Sequence, residues 1–165
     1  MKQSYDFNIE KLKDLSLKEK ISRQKNLDLF LKSGFPSKKI EDWKFTDLNT
    51  ILNKNFESIS NEVNFEFNKE LEIIRNFEHN YIFLTNGKII STSFIYEEKN
   101  KILIKDFDQK ETVNFDSGNT LTLLNNALSS DGFSLEITKN YKLKKPLVVY
   151  NYFSKDLKNK ILNNK

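Results

Sequence analysis

At the centre of the sequence stands the stretch Tyr81-Ile82-Phe83-Leu84-Thr85-Asn86-Gly87-Lys88-Ile89-Ile90-Ser91. Its two ends are short runs of apolar, β-branched and aromatic residues, a composition that favours β-strands. The dipeptide between them, Asn86-Gly87, accepts the left-handed dihedral angles that a type I′ turn requires. The stretch therefore predicts a β-hairpin.

The sequence on the C-terminal side of this hairpin predicts short strands and one helix. Pro146 precedes the continuous apolar run Leu147-Val148-Val149-Tyr150, which favours a strand covered on both faces. Residues 154–165 are rich in Lys and Asn and are expected to form a frayed, polar end. The other predicted elements are a helix over 120–128 and strands over 94–96, 102–104 and 133–137.

The N-terminal part of the sequence predicts helices. A capping box opens the first helix, because the side chains of Ser16 and Glu19 can each bond the other's backbone amide, and Gly34 with Pro36 ends it. A second, broken helical stretch over 37–53 is expected to pack antiparallel against the first. The buried stripe of the first helix is expected to consist of Leu17, Ile21, Leu27 and Leu31, with Phe30 on its flank.

The composition indicates a globular chain. Leu, Ile, Val and Phe make up about a third of the 165 residues, well above the roughly 20% below which disorder is expected. The net charge of +4 raises the possibility of a nucleic-acid-binding module. All but two of the 27 basic residues are Lys, however, whereas base recognition relies on Arg, so this alternative is less favoured.

Few residues of the sequence are candidates for catalysis or for binding a metal. It contains no Cys, which excludes disulfides and thiolate ligands, and its one histidine, His79, is predicted to be a loop residue without a second ligand nearby. Glu41 and Asp42 would diverge by about 100° on a helix and cannot flank one bond. No phosphate-binding glycine motif occurs. We therefore expect no catalytic, cofactor-binding or metal residues, and a chain that is not an enzyme.

The sequence contains no membrane span and no hydrophobic signal region at its N-terminus. A soluble, cytoplasmic protein without a membrane partner is therefore expected.

Two motifs and a short link between them resemble a known family. Gly34-Phe35-Pro36-Ser37-Lys38-Lys39-Ile40-Glu41-Asp42-Trp43-Lys44-Phe45-Thr46-Asp47-Leu48 resembles the N-terminal signature of SufB/SufD iron–sulphur cluster assembly proteins, closest to SufD. Leu124-Asn125-Asn126-Ala127-Leu128-Ser129-Ser130-Asp131-Gly132-Phe133-Ser134-Leu135-Glu136-Ile137, followed by Leu143-Lys144-Lys145-Pro146-Leu147, resembles the family's entry into a β-helix. Between them, Phe83-Leu84-Thr85-Asn86-Gly87-Lys88 resembles a family strand and turn.

The matching positions are interpreted as structural. Pro36 bars continuation of the first helix, and Trp43 offers the largest apolar side chain for a buried packing anchor. Fold maintenance is favoured over direct partner contact for all of them. The positions are Gly34, Pro36, Glu41, Trp43, Lys44, Thr46, Leu48, Asn125, Ala127, Asp131, Gly132 and Pro146.

The resemblance implies an α+β fold. A helical N-terminal segment over 1–54 would lead through a linker over 55–80 to a β-rich region over 81–153, which holds the first strands of a right-handed parallel β-helix. Residues 154–165 would be a polar tail. Since family members continue into a longer β-helix, an open strand edge at 147–150 is expected to favour self-association. Whether Lys165 is a natural end is left open.

The function implied by the resemblance is that of a non-enzymatic scaffold in iron–sulphur cluster assembly. Its partners would be a SufB-like scaffold protein and a SufC-like ATPase in the full-length context. The family's cluster-related Cys and His residues and its SufC-binding surface lie in later parts, so no cofactor is expected on this chain itself. A generic protein-interaction domain is the main alternative.

Overall fold

The computed structural model describes residues 5–12, 15–60, 72–106 and 119–163 as an α+β fold. Its helices are α1 (Leu17–Ser33), α2 (Leu48–Asn55) and α3 (Thr120–Leu128), with 3-10 turns at Ile9–Lys11, Glu41–Trp43 and Lys155–Leu157. Its strands are β1 (Ser58–Ser60), β2 (Asn80–Thr85), β3 (Lys88–Ser93), β4 (Ile102–Asp106), β5 (Phe133–Ile137), β6 (Leu147–Tyr152) and β7 (Lys160–Leu162). In the described ranges no helix is both long and apolar enough to span a bilayer.

The predicted hairpin is confirmed, and its first strand is the central strand of a three-stranded sheet. β2 and β3 pair antiparallel around Asn86 and Gly87, whose φ angles of 51° and 84° are both positive. β6 pairs parallel with the other edge of β2, which gives the strand order β3-β2-β6. β2 is the strand covered on both faces, because five of its six residues are buried. The expectation that 147–150 would be so covered is wrong, because Val149 in β6 is exposed.

The remaining strands form two small sheets. β4 pairs antiparallel with β5, and β1 pairs parallel with β7. The described strands form neither a closed sheet nor a solenoid, so the β-helix expected from the resemblance is not observed. The division into four segments and the self-association through 147–150 stay predictions.

Two further expectations about the β-rich region are wrong. Residues 94–96 do not form a strand; they lie in a turn that is closed by the Glu97 amide donating to the Phe94 carbonyl. Residues 155–162 are not frayed, since they form a 3-10 turn and strand β7. This segment is held by the buried Leu157 and by Asn86, whose side chain bonds both the hydroxyl and the amide of Ser154 at 2.9 Å. The Lys- and Asn-rich composition of this segment gave no indication of these contacts.

Helix α1 begins as predicted but buries a different face. The Ser16–Glu19 capping box is present, with the Ser16 amide 2.7 Å from the Glu19 carboxylate. The expected apolar stripe is wrong, because Leu17, Ile21 and Leu31 are exposed. The expected antiparallel pair is also not formed, since α1 packs against α3 rather than against α2. The buried side chains of α1 are Glu19, Arg23, Leu27 and Phe30.

The contact between α1 and α3 includes a buried guanidinium. The Arg23 side chain is only 4% exposed, and its Nη1 donates to the carbonyls of Ala127 at 3.0 Å and Ser129 at 2.9 Å. These carbonyls lie at the C-terminal end of α3, where backbone acceptors have no partner within the helix and a positive charge is favourable. Burial lowers the pKa of Arg23, and the Glu19 carboxylate one turn away raises it. Arg23 therefore cross-links the two helices.

An apolar core surrounds this cross-link. Leu27 and Phe30 of α1 meet Leu124, Ala127 and Leu128 of α3, and the 3-10 turn near the N-terminus adds Ile9 and Leu12. Burying such side chains stabilises the fold by roughly 1.5–3 kcal/mol each.

A second polar anchor organises the loops beside β2. The Glu97 carboxylate accepts from the Asn80 side chain at 2.6 Å, the Tyr141 hydroxyl at 2.7 Å, and the amides of Lys144 and Lys145 at 3.0 and 3.2 Å. Partial burial raises the pKa of Glu97, but these four donors outweigh it and lower the pKa to about 2. Glu97 thus ties the loop after β3 to the start of β2 and to the loop before β6.

Replacing Arg23 tests the cross-link. Arg23→Met is expected to lower the free energy of unfolding by about 3–5 kcal/mol, because it leaves the two carbonyls buried without their donor and removes the positive charge near the Glu19 carboxylate. Arg75→Met is the matched control, because Arg75 is exposed, and it should change stability by less than about 0.5 kcal/mol. Urea unfolding measures both, and equal costs for the two variants would contradict the assignment.

Replacing Glu97 tests the second anchor through its pH dependence. Because folding lowers the pKa of Glu97 from 4.5 to about 2, its contribution is complete above pH 4.5 and is lost as the pH falls towards 2. Glu97→Gln should therefore be less stable than the wild type at neutral pH, and the difference should shrink between pH 4.5 and 2. Thermal midpoints across that window measure it, and a constant difference would refute the role of Glu97.

Candidate functional site

The segment over 34–48, here called the signature loop, leaves α1 with its first residues anchored in the core. Gly34 adopts a φ of 72°, a left-handed conformation that favours glycine, and its amide donates to the Phe30 carbonyl at the end of α1. The Phe35 ring lies 5.1 Å from the Phe30 ring in an edge-on arrangement, and Pro36 is buried. The start of the loop is therefore fixed.

The middle of the signature loop is held by local polar contacts. The Lys38 ammonium lies 3.6 Å from the Asp47 carboxylate, and Glu41 forms an ion pair with Lys44. Asp47 also caps α2 by accepting from the Thr50 amide at 3.0 Å, and this hydrogen bond, followed by the charge of Lys38, lowers the pKa of Asp47 despite the opposing effect of burial. The loop keeps its shape largely through these contacts at the surface.

Two apolar side chains of the signature loop are exposed among polar and charged ones. The Phe45 side chain is 91% exposed, and the Ile40 side chain, five residues earlier in the sequence, is 46% exposed. The Lys44 ammonium lies 5.1 Å from the centre of the Phe45 ring, at cation–π distance. Burying an exposed aromatic ring of this size against another molecule is favourable.

Trp43 lies in the same loop and is only partly buried. It is therefore not the fully buried packing anchor that the sequence suggested. Its amide donates to the Ile40 carbonyl and its carbonyl accepts from Thr46, so its backbone shapes the turn.

An apolar groove adjoins the signature loop. It has a volume of about 440 Å³. Leu48 from the loop and Asn125 from α3, which belong to different sequence motifs, both line it. Such a concave, largely apolar surface is suited to an apolar side chain of a partner. The other residues around it include Phe35, Leu52, Leu121, Leu124 and Ile161.

The rest of the second motif supports the fold. Ala127 is fully buried and its carbonyl accepts from Arg23. The Asp131 carboxylate accepts from the Ser130 hydroxyl, and Gly132 has a positive φ of 153°. The Pro146 carbonyl accepts from the Asn80 amide at 2.8 Å, which joins the start of β6 to β2.

Several residues that shape this region were not identified from the sequence. Arg23 carried one weak signal, since it is one of two arginines and follows Glu19 by one helical turn. Glu97 carried none, because its donors come from distant parts of the chain. Phe45 was part of the quoted motif, but nothing in its neighbours indicated that it would be exposed.

The described residues contain no group of three or more His, Cys, Asp or Glu side chains that could hold a metal ion. His79 is buried, with Nδ1 3.0 Å from the Phe77 carbonyl and Nε2 2.7 Å from the Tyr150 hydroxyl. The carbonyl can only accept, so Nδ1 carries the proton of that hydrogen bond. His79 is thus a buried residue whose two ring nitrogens both have partners within the fold.

The sequence matches a family model described as the SufBD protein N-terminal region over residues 3–106. The matched range contains the signature loop and the β2–β3 hairpin and ends with β4. A search of curated proteins found no match.

Stability measurements distinguish the two aromatic residues of the signature loop. Trp43→Ala is expected to cost about 2 kcal/mol, below the roughly 3–5 kcal/mol of a fully buried tryptophan, because part of the indole is already in water. Phe45→Ala should change the free energy of unfolding by less than about 0.5 kcal/mol. Denaturant midpoints measure both, and a cost at Phe45 as large as that at Trp43 would show that Phe45 serves packing.

Proposed function

The chain belongs to the SufBD family of iron–sulphur cluster assembly proteins, and from this membership we propose that it is a non-enzymatic scaffold part of a SufD-like protein. The family match covers more than half of the chain. The scaffold role is supported by the signature loop, which presents Phe45 and Ile40 to solvent from a fixed backbone. A preformed apolar surface lowers the entropic cost of binding a partner.

We propose that the partners are those of the family's assembly complex. The signature loop and the adjoining groove would contact a SufB-like scaffold protein. In the family that the chain resembles, the surface that binds the SufC-like ATPase lies in later parts of the architecture. We therefore expect contact with this ATPase only in a full-length protein. The proposed setting is the cytoplasm.

The iron–sulphur cluster is the cargo of this assembly rather than a cofactor of this chain. The chain lacks cysteine, and the one histidine uses both ring nitrogens within the fold. The proposed β-helix of the family would extend from β6, whose parallel pairing with β2 is the arrangement that such a fold repeats.

Two other functions are separable by experiment. A generic interaction domain would also use the exposed signature loop, but it would bind a protein other than the SufB-like one. A nucleic-acid-binding module would bind through its lysines, and its affinity would fall steeply with salt concentration.

Co-purification with purified SufB-like and SufC-like proteins tests the proposal. The wild-type chain is expected to co-elute with the SufB-like protein from a size-exclusion column. It is not expected to co-elute with the SufC-like ATPase when that is the only other protein present. Phe45→Asp should weaken the SufB-like complex at least about tenfold in calorimetry, because it places a charge at the centre of the apolar contact.

Ile95→Asp is the matched control for this experiment. Ile95 is 79% exposed in the turn after β3, outside the signature loop, so its replacement should leave the complex unchanged. A wild-type chain that binds neither protein would contradict the proposed partners. Equal effects of Phe45→Asp and Ile95→Asp would contradict the proposed surface.

A further inference from the structure

The outward side of α1 carries a heptad pattern that the fold does not use. Its members follow one another at intervals of four, three, four and three residues, which places them on one stripe of the helix. This stripe, here called the outer seam, ends in apolar residues and has a polar centre. Its members are Leu17, Ile21, Gln24, Asp28 and Leu31.

The outer seam lies on the solvent side of α1. Leu17, Ile21 and Leu31 are 75%, 63% and 54% exposed, and Gln24 and Asp28 are exposed as well. The opposite face is the one packed on α3. An ordinary amphipathic helix buries its apolar stripe against its own core, so an apolar seam turned outwards indicates a contact with another molecule.

The centre of the seam favours a protein over a lipid surface. The Gln24 amide donates to the Asp28 carboxylate at 2.7 Å, which places a polar pair between the apolar ends. Inserting a carboxylate into a bilayer is costly, whereas a polar pair within a helical seam fixes the register of a partner helix.

Three lysines border the seam and define the charge of the partner. Lys18, Lys25 and Lys32 follow one another at intervals of seven residues, occupy the position next to the seam in each heptad, and are exposed. Within the described ranges none of the three forms an ion pair. In a helix pair, residues at these flanking positions select the partner by charge.

This charge pattern disfavours a second copy of the chain as the partner that binds the outer seam. An antiparallel pair of α1 helices would place these lysines opposite each other, and a parallel pair would place Lys25 beside Lys20. Both arrangements bring like charges together, which is unfavourable. A helix with acidic residues beside its apolar stripe makes the opposite, favourable contact.

We propose that the outer seam of α1 docks an amphipathic helix of a partner protein, with Asp or Glu flanking its apolar stripe. Leu17, Ile21 and Leu31 of the outer seam would pack between the apolar residues of the partner helix. The three lysines would form ion pairs with the acidic residues that flank the partner's apolar stripe. The seam uses residues other than the signature loop, so this inference does not depend on the proposed SufB-like contact.

A designed peptide provides the probe. It is a fluorescently labelled helix of three heptads with Leu in its seam and Glu at both flanking positions, and a second peptide carries Lys in place of Glu. The wild-type chain should bind the Glu peptide in fluorescence anisotropy and should not bind the Lys peptide. Lys25→Glu should weaken binding of the Glu peptide about fivefold, and the triple change of Lys18, Lys25 and Lys32 to Glu should weaken it at least about fiftyfold.

The matched control is Lys139→Glu, an exposed lysine in the turn after β5, which should leave the affinity unchanged. Since all four lysines are exposed, circular dichroism should show the same fold for every variant. Binding of the Lys peptide by the triple variant would support the charge rule independently.

Three results would overturn the proposal. The first is equal binding of both peptides by the wild type, and the second is an effect of Lys139→Glu as large as that of Lys25→Glu. The third is binding to phosphatidylserine vesicles, or self-association sensitive to Lys25→Glu, without binding to the Glu peptide, which would assign the seam to a membrane or to a second copy.

Discussion

The hydrogen bonds from Arg23 to the end of α3 are the constraint on which the helical part of this structure depends. A buried guanidinium without acceptors would be costly, so its two carbonyl contacts fix both the rotation of α1 and the position of α3. Once α1 is rotated in this way, Leu27 and Phe30 face the core and Leu17 and Ile21 face solvent. One polar contact therefore decides which side of the helix is inside.

That rotation also positions the surfaces that we assign to binding. The Phe30 ring contacts Phe35, which begins the signature loop, so the inner face of α1 determines where the loop starts. The outer face presents apolar residues and unpaired lysines within the described part of the chain. The chain thus combines buried polar anchors with exposed apolar residues, and the scaffold role that we propose would use the latter.

The sequence predicted the elements whose signals are local. The capping box at Ser16, the Asn86-Gly87 turn and the helix over 120–128 depend on neighbouring residues, and all three are confirmed. Contacts between distant residues were not predictable in this way. Periodicity identified an apolar stripe on α1 but could not show that Arg23 would turn it outwards, and composition concealed the pairing of β7 with β1. The exposure of Phe45 likewise depends on the placement of the whole loop.

Native-state hydrogen exchange of two amides tests most directly whether α1 and α3 form one unit. The Gly34 amide donates to Phe30 at the end of α1, and the Ser129 amide donates to Asn125 at the end of α3. If Arg23 joins the helices, both amides should exchange through the same cooperative opening and show the same free energy of protection, and Arg23→Met should lower both equally. Exchange at Ser129 that is accelerated while Gly34 stays protected would contradict the account.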